Sequence, residues 1–256
     1  MEHPLSTEAQ FDLESVFEAD DYLYFYSDSL TDERSDREVA SLVKLLDLHP
    51  PMKILDLACG FGRHANRLAA LGYSVTGIDQ SADFLNLARK HASEMGVDVN
   101  YLQADMRHIE FVDEFDAVIM MFTTFGYFND GDNFRVLENI TRALRPGGWL
   151  GFDIPNRDVT LKVLSPAVVL EKNRDLMINR NSFDMVSGRW HNQRIVIRNG
   201  IRRDKPFSIR LYNPTEIREL VQKAGMDVSH LYGDWNGQPL TAESRGMVVL
   251  AQKPSS

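Results

Sequence analysis

Between Met52 and Ile154, short apolar runs alternate with stretches whose apolar residues recur at helical spacing. That is the pattern of a parallel sheet with crossover helices. It predicts strands over Lys53 to Leu57, Ser74 to Ile78, Val99 to Gln103, Ala117 to Met121 and Trp149 to Asp153, with helices near Arg63 to Leu71, Ala82 to Met95 and Asn133 to Leu144. Gly72, Gly96 and Pro146-Gly147-Gly148 stand just past helix ends, where glycine accommodates a left-handed turn. Upstream, residues 1–50 read as helical, with Asp32 and Glu33 opening a second helix that carries Val39, Leu42, Val43 and Leu46 at helical spacing. The aromatic cluster Tyr22, Tyr24, Phe25 and Tyr26 precedes that helix, and His49-Pro50-Pro51 ends it.

The texture changes over residues 158–212. Strand-like runs such as Leu176 to Ile178 and Arg194 to Arg198 are separated by Asn-Arg-Asn, Ser187-Gly188 and Asn199-Gly200, so a small inserted antiparallel layer is expected. Asn213-Pro214-Thr215-Glu216 then opens a helix to Ala224, Gly225 ends it, and Met226 to Tyr232 and Met247 to Lys253 read as closing strands. The chain therefore divides into an N-terminal helical lid (1–51), a core (52–157 and 213–256) and a β-rich insertion (158–212).

The 256 residues carry 28 Lys plus Arg against 37 Asp plus Glu, a formal net charge of −9. This weighs against a nucleic-acid binder, which draws affinity from Lys and Arg on phosphates. The nearly apolar run Ala117 to Phe128 is shorter than the roughly 20 residues of a membrane helix. The opening MEHPLSTEAQ lacks the charge and apolar pattern of a secretory signal. Cys59, the single cysteine, has no partner for a disulfide or a multi-thiol metal site, so no metal is expected and a cytoplasmic location is the simplest reading.

The first strand runs into Asp56-Leu57-Ala58-Cys59-Gly60-Phe61-Gly62-Arg63-His64, a glycine turn at a helix start, where backbone N–H groups are free to meet a ligand. Gly60-x-Gly62-x-x-Ala65 also satisfies the dinucleotide-binding pattern, with Asp79 standing 17 residues after Gly62. A nicotinamide-dependent oxidoreductase is thus an alternative, and a noncatalytic cofactor-binding protein is another. Asp56, ahead of the glycines, would repel a pyrophosphate but can help to bind an ammonium. With Asp79 and Asp105 at the ends of the next two strands, it favours a cationic, adenosine-bearing ligand with an amino-acid end.

These residues resemble the class I S-adenosylmethionine-dependent methyltransferases, and the likeness runs closely over residues 52–154. It is carried by Ile54-Leu55-Asp56-Leu57-Ala58-Cys59-Gly60-Phe61-Gly62, Gly77-Ile78-Asp79, Ala104-Asp105-Met106, Phe115-Asp116-Ala117-Val118 and Leu144-Arg145-Pro146-Gly147-Gly148-Trp149-Leu150. Ala58 departs from the family's commonest pattern, which has a glycine there. The resemblance implies an α/β, doubly wound, Rossmann-like and mainly parallel seven-stranded sheet with a reversed last strand, and S-adenosylmethionine as cofactor. It also implies that Gly60 and Gly62 border the methionine part, with Ala58 in the same turn. Asp79 would bind the ribose hydroxyls with Gln80 beside it, Ala104, Asp105 and Met106 would bracket the adenine, and Asp56 with Met121 would position the amino-acid portion.

The expected reaction is in-line transfer of a methyl group to a small-molecule acceptor, driven largely by proximity and orientation. The acceptor atom is open between nitrogen, oxygen and carbon. The candidate catalytic residues are Tyr26 in the lid, Tyr127 as a hydroxyl in the pocket after the fourth strand, and His191 in the insertion as a base. His64 is expected to be structural, Cys59 to be a small buried residue, and Trp235 and Arg210 to be further pocket candidates. No nucleic-acid or membrane partner is expected, and the inserted hairpin could pair two copies of the chain.

Overall fold

Alternation along each central strand sets the layers of the molecule. The computed structural model describes residues 13–255; the opening segment of the expected lid, residues 1–12, lies outside them. In chain order come α1 (Leu13–Val16), α2 (Ala19–Tyr26), α3 (Asp32–Leu45), β1 (Lys53–Leu57), α4 (Ala65–Ala70), β2 (Ser74–Asp79), α5 (Ala82–Met95), β3 (Asn100–Gln103), β4 (Phe115–Met120), α6 (Asp130–Ala143) and β5 (Leu144–Pro155). Then follow α7 (Arg157–Val163), β6 (Ala167–Lys172), β7 (Asp175–Asp184), β8 (Arg189–Arg198), β9 (Ile201–Asp204), β10 (Phe207–Arg210), α8 (Pro214–Lys223), β11 (Asp227–Tyr232) and β12 (Gly246–Gln252).

The main sheet has seven strands in the order β11-β12-β5-β4-β1-β2-β3. β1, β2, β3, β4 and β5 run parallel, whereas β12 lies antiparallel to both β5 and β11, the reversed last strand that was expected. Because side chains alternate along a strand, Leu55 and Leu57 enter one core with Val136, Ile140, Ile217 and Val221 of α6 and α8. Ile54 enters the opposite core with Val39 and Leu42 of α3, Leu68 of α4 and Leu85 of α5. Caps fix the helix starts: Thr31, Ser81 and Asn129 accept backbone N–H bonds at α3, α5 and α6, and Asn213 with Glu216 closes a capping box on α8.

Two sequence expectations are corrected. Pro146-Gly147-Gly148 is not a turn before the fifth strand but an irregularity inside β5, where the pairing with β4 shifts register between Phe115 and Ala117. The Asn-Arg-Asn segment, residues 179–181, does not separate strands either. It lies within β7, where Asn179 accepts from Arg194 and Asn181 accepts from Trp190 and Asn192. Polar side chains that bond one another across strands can occupy a sheet interior, which composition alone reads as a loop.

The intervening β layer is a five-stranded antiparallel sheet in the order β10-β8-β7-β6, with β9 on β8. Asn199 and Gly200 both take positive φ in the β8–β9 turn, as the Asn-Gly signal predicts. α2 is fastened to this layer by ion pairs. The buried Asp21 meets Lys205 at 2.7 Å and Arg203 at 2.6 Å, and Asp20 meets Arg198 at 2.6 Å. Among the described residues no helix is long and apolar enough to cross a membrane.

Candidate active site

The carboxyl ends of β1, β2 and β4 open into a cavity of about 1070 Å³, the open solvent at its mouth included. It lies at the edge where open α/β sheets bind ligands. Asp56, Ala58, Gly60, Asp79, Gln80, Ala104, Asp105, Met106 and Met121 all line it, so nine of the ten residues expected at the cofactor are brought together.

Gly62 is not among the lining residues. A Cβ there would overlap the Tyr101 hydroxyl and stand 2.9 Å from Ala88, so this glycine lets α4 and α5 approach the sheet. Gly60, by contrast, has open space where a Cβ would stand. Ala58 takes φ 63°, a left-handed conformation that explains the preference for glycine in such a turn.

Asp56 is 1% exposed, and its Oδ2 has no hydrogen-bond partner. Burial pushes its carboxyl up to about 7 against the opposing charge of Arg63, with a smaller upward push from the charge of Asp79. Next to it the guanidinium of Arg63, 8% exposed, pairs with Glu38 of α3 through Nη1 and leaves Nη2 buried and unpartnered. One cavity wall thus offers an unsatisfied carboxylate oxygen and an unsatisfied guanidinium nitrogen, complementary to the two charges of an amino-acid end. The residues present fit S-adenosylmethionine on these grounds.

Asp79 spans the turn. Oδ2 accepts from the Gly60 N–H at 2.8 Å and Oδ1 from the Ser81 N–H at 2.9 Å, while burial raises its pKa against these bonds. Asp105 stands at the rim with its carboxylate held by Arg107 Nη2 at 2.6 Å, and Arg107 lies 4.4 Å over the Phe128 ring.

The fourth-strand loop carries Phe122 and Thr123 at φ 69° and 59°. Asp153 at the end of β5 holds it by accepting their N–H groups at 2.8 and 3.0 Å, and also accepts from the Trp235 indole at 3.2 Å.

The catalytic expectations fare differently. Tyr127 lines the cavity, but Tyr26 and His191 do not. Tyr26 lies one ring behind the wall. Its centroid is 5.0 Å from that of Tyr22, which takes the cavity position instead, and its hydroxyl accepts from Arg194 at 3.3 Å. His191 sits on β8 between Ser182 and Ser208. Trp235 and Arg210 also stand outside, the former bound to Asp153 and the latter to Glu216 at 2.9 Å.

His64, expected to be structural, lines the cavity and is bound to Glu38. Its Nε2 lies 2.9 Å from Glu38, and burial pulls its pKa down to about 4 despite that bond, so it is neutral at pH 7. Cys59 is buried as well.

Sequence reasoning missed Arg63, Phe17 and Phe84 as cavity residues, and it singled out Tyr26 and Tyr127 rather than Tyr22, Phe122 and Phe128, which complete the aromatic chamber. Phe17 packs on Tyr127 at 5.3 Å and Tyr22 on Phe84 at 5.5 Å. The i, i+4 spacing of Tyr22 and Tyr26 was the available signal, since only one of two residues on one helical face can be nearest the cavity.

A model described as a methyltransferase domain matches residues 54–148. A putative methyltransferase of Bacillus subtilis, YqeM, is 30% identical over 209 residues, covering 78% of this chain and 84% of that one. A crystal structure of an S-adenosylmethionine-dependent methyltransferase from Clostridium acetobutylicum superposes with TM-score 0.79 at 16% identity, over 93% of this chain and 98% of that one. A structure of CalS10 from Micromonospora echinaspora, solved with S-adenosylmethionine bound, matches with TM-score 0.60 at 17% identity, over 99% and 100%. The nicotinamide alternative therefore gives way: this chain belongs to the class I S-adenosylmethionine-dependent methyltransferases.

Proposed function

We propose that this methyltransferase acts on a small molecule enclosed in the aromatic chamber, and that the walls described above divide the work. The observation that carries the cofactor half of the proposal is the pair of unpartnered buried groups, Asp56 Oδ2 and Arg63 Nη2, beside the open Gly60 turn. In this reading Asp56 takes the ammonium and Arg63 the carboxylate of the amino-acid end. Asp79 and Gln80 take the ribose, and Ala104, Asp105 and Met106 border the adenine. Because the Asp105 carboxylate is already bound by Arg107, it contributes mainly a fixed rim. Bound there, the cofactor supplies an electrophilic methyl group on a sulfonium.

The chain's part is then to place an acceptor atom in line with that methyl group and to exclude water. Phe17, Tyr22, Phe122, Tyr127 and Phe128 supply an enclosure suited to a compact molecule. Burial holds the protons on Tyr22, whose pKa is pushed up to about 12, and on Tyr127, which makes both poor bases. The acceptor therefore brings a lone pair already free near neutral pH, as an unprotonated amine does. Residues 52–157 and 213–256 hold the cofactor in this division, while the described part of the lid, residues 13–51, closes the acceptor side with residues 158–212 packed behind it. A cytoplasmic site of action accords with the lone, buried Cys59.

The test is to incubate the enzyme and deuteromethyl-labelled S-adenosylmethionine with a fractionated cell extract and to follow the label by mass spectrometry. The expected result is label in metabolites. Label confined to protein or nucleic acid would refute the small-molecule reading.

A further inference from the structure

The buried cations of the described residues are Arg63, Arg194 and Lys205. Two have carboxylates: Arg63 has Glu38, and Lys205 has Glu18 and Asp21. Arg194, 8% exposed, has none among the described residues. Its Nε donates to Asn179 at 3.0 Å, its Nη2 donates to the Tyr26 hydroxyl at 3.3 Å, and its guanidinium lies 4.7 Å over the Phe207 ring. These contacts are all with neutral groups, so among the described residues a largely buried positive charge is held by hydrogen bonds and a ring face with no carboxylate beside it, a costly arrangement in a folded protein.

Its position is the second fact. Tyr26 and Phe207 are the layer directly behind the chamber, with ring centroids 5.0 Å from Tyr22 and 6.2 Å from Tyr127, respectively. In the wall itself, the Tyr22 and Tyr127 hydroxyls make no hydrogen bond among the described residues, and Thr124 Oγ1 is buried without a partner. The cavity's acids, Asp56, Asp79 and Asp105, follow the strand ends with Arg63 beside Asp56, and on the lid side Tyr22 and Tyr127 offer neutral hydroxyls with Arg194 one layer behind.

We propose that the lid end of the chamber binds a carboxylate carried by the acceptor, held by the Tyr22, Tyr127 and Thr124 hydroxyls and neutralised by Arg194. This rests on the small-molecule reading above and specifies its substrate class. An oxyanion is what hydroxyl donors and a guanidinium with no carboxylate beside it jointly recognise. The bulky aromatic enclosure favours a planar carboxylate over a fully hydrated phosphate.

The test uses the full chain saturated with S-adenosylhomocysteine and titrated with benzoate, benzamide, phenylacetate, phenylacetamide and inorganic phosphate. The expected result is that each acid binds about tenfold or more tightly than its amide. Arg194→Met removes that preference, and Arg194→Lys retains most of it. The affinity for S-adenosylhomocysteine should be the same in all three proteins, which excludes a general loss of fold.

Equal binding of acids and amides to the parent chain would overturn the proposal. So would failure of both acids to bind, a preference that persists in Arg194→Met, or benzoate competing with S-adenosylhomocysteine, which would place the anion at Arg63. Phosphate binding in preference to both acids would overturn the carboxylate assignment. Labelled methyl transfer to metabolites without an anionic group would refute this inference while leaving the small-molecule reading intact.

Discussion

Gly60 and Gly62 stand two residues apart in one turn and do different things. Gly60, at φ 55°, faces open cavity, whereas Gly62, at φ 78°, is pressed against Tyr101 and Ala88. Gly62→Ala is expected to cost about 2–4 kcal/mol through overpacking and left-handed strain. Gly60→Ala is expected to cost about 1–2 kcal/mol of stability and to weaken S-adenosylmethionine binding. Urea unfolding and calorimetric titration of the two variants measure this contrast, and equal stability losses would contradict it. At Asp56 the effect is electrostatic. Its folded pKa of about 7 lies above the ordinary 3.8, so its contribution to stability is fully present below 3.8 and is lost as pH rises through about 7. An ammonium beside it reverses the preference and favours the ionised form. S-adenosylmethionine binding should therefore release a proton and tighten as pH rises toward 7, by up to about tenfold per unit. Calorimetry in buffers of different ionisation enthalpy reads the proton release; Asp56→Asn should abolish it and weaken binding.

At the scale of elements, α2 is held by long-range ion pairs. Its aromatic residues were visible in the sequence, but its anchorage was not: Asp21 is buried among Arg198, Arg203 and Lys205, which come from the β layer 177 to 184 positions away. Burial opposes the ionised form of Asp21, and the Lys205 hydrogen bond and charge outweigh it, lowering its pKa. Asp21→Asn leaves the buried Lys205 with Glu18 alone and should cost about 3–5 kcal/mol. It should also expose α2 to proteolysis and raise the acceptor KM more than the Kd for S-adenosylmethionine. An unchanged unfolding midpoint would show that the clamp contributes little. The strands and helices of the core were legible because periods of 2 and 3.6 are local signals, and the Asn199-Gly200 turn because φ > 0 restricts residue choice. The full length of β7 was not legible. Its Asn179 and Asn181 are loop-like by composition and become strand residues only when Arg194, Trp190 and Asn192 satisfy them.

Across the whole molecule, the sheet ends supply the acidic part of the cavity wall and Phe17 and Tyr22 close it from the lid with the β layer behind them, so the two parts of the site were not equally readable. Asp56, Asp79 and Asp105 sit at successive strand ends, and an ordered motif announces them. Arg63 and Tyr22 become site residues through three-dimensional packing against Glu38 and Phe84, which nothing in their local sequence specifies. Tyr26 and His191 were named for their chemistry, and the tertiary arrangement turned both away from the cavity. The most direct check is a crystal structure with S-adenosylhomocysteine bound. The amino group is expected at Asp56, the carboxylate at Arg63 Nη2, the ribose at Asp79, and the sulfur facing the chamber of Tyr22 and Tyr127. A ligand whose amino-acid end lies away from both Asp56 and Arg63, or whose sulfur faces away from that chamber, would contradict the account.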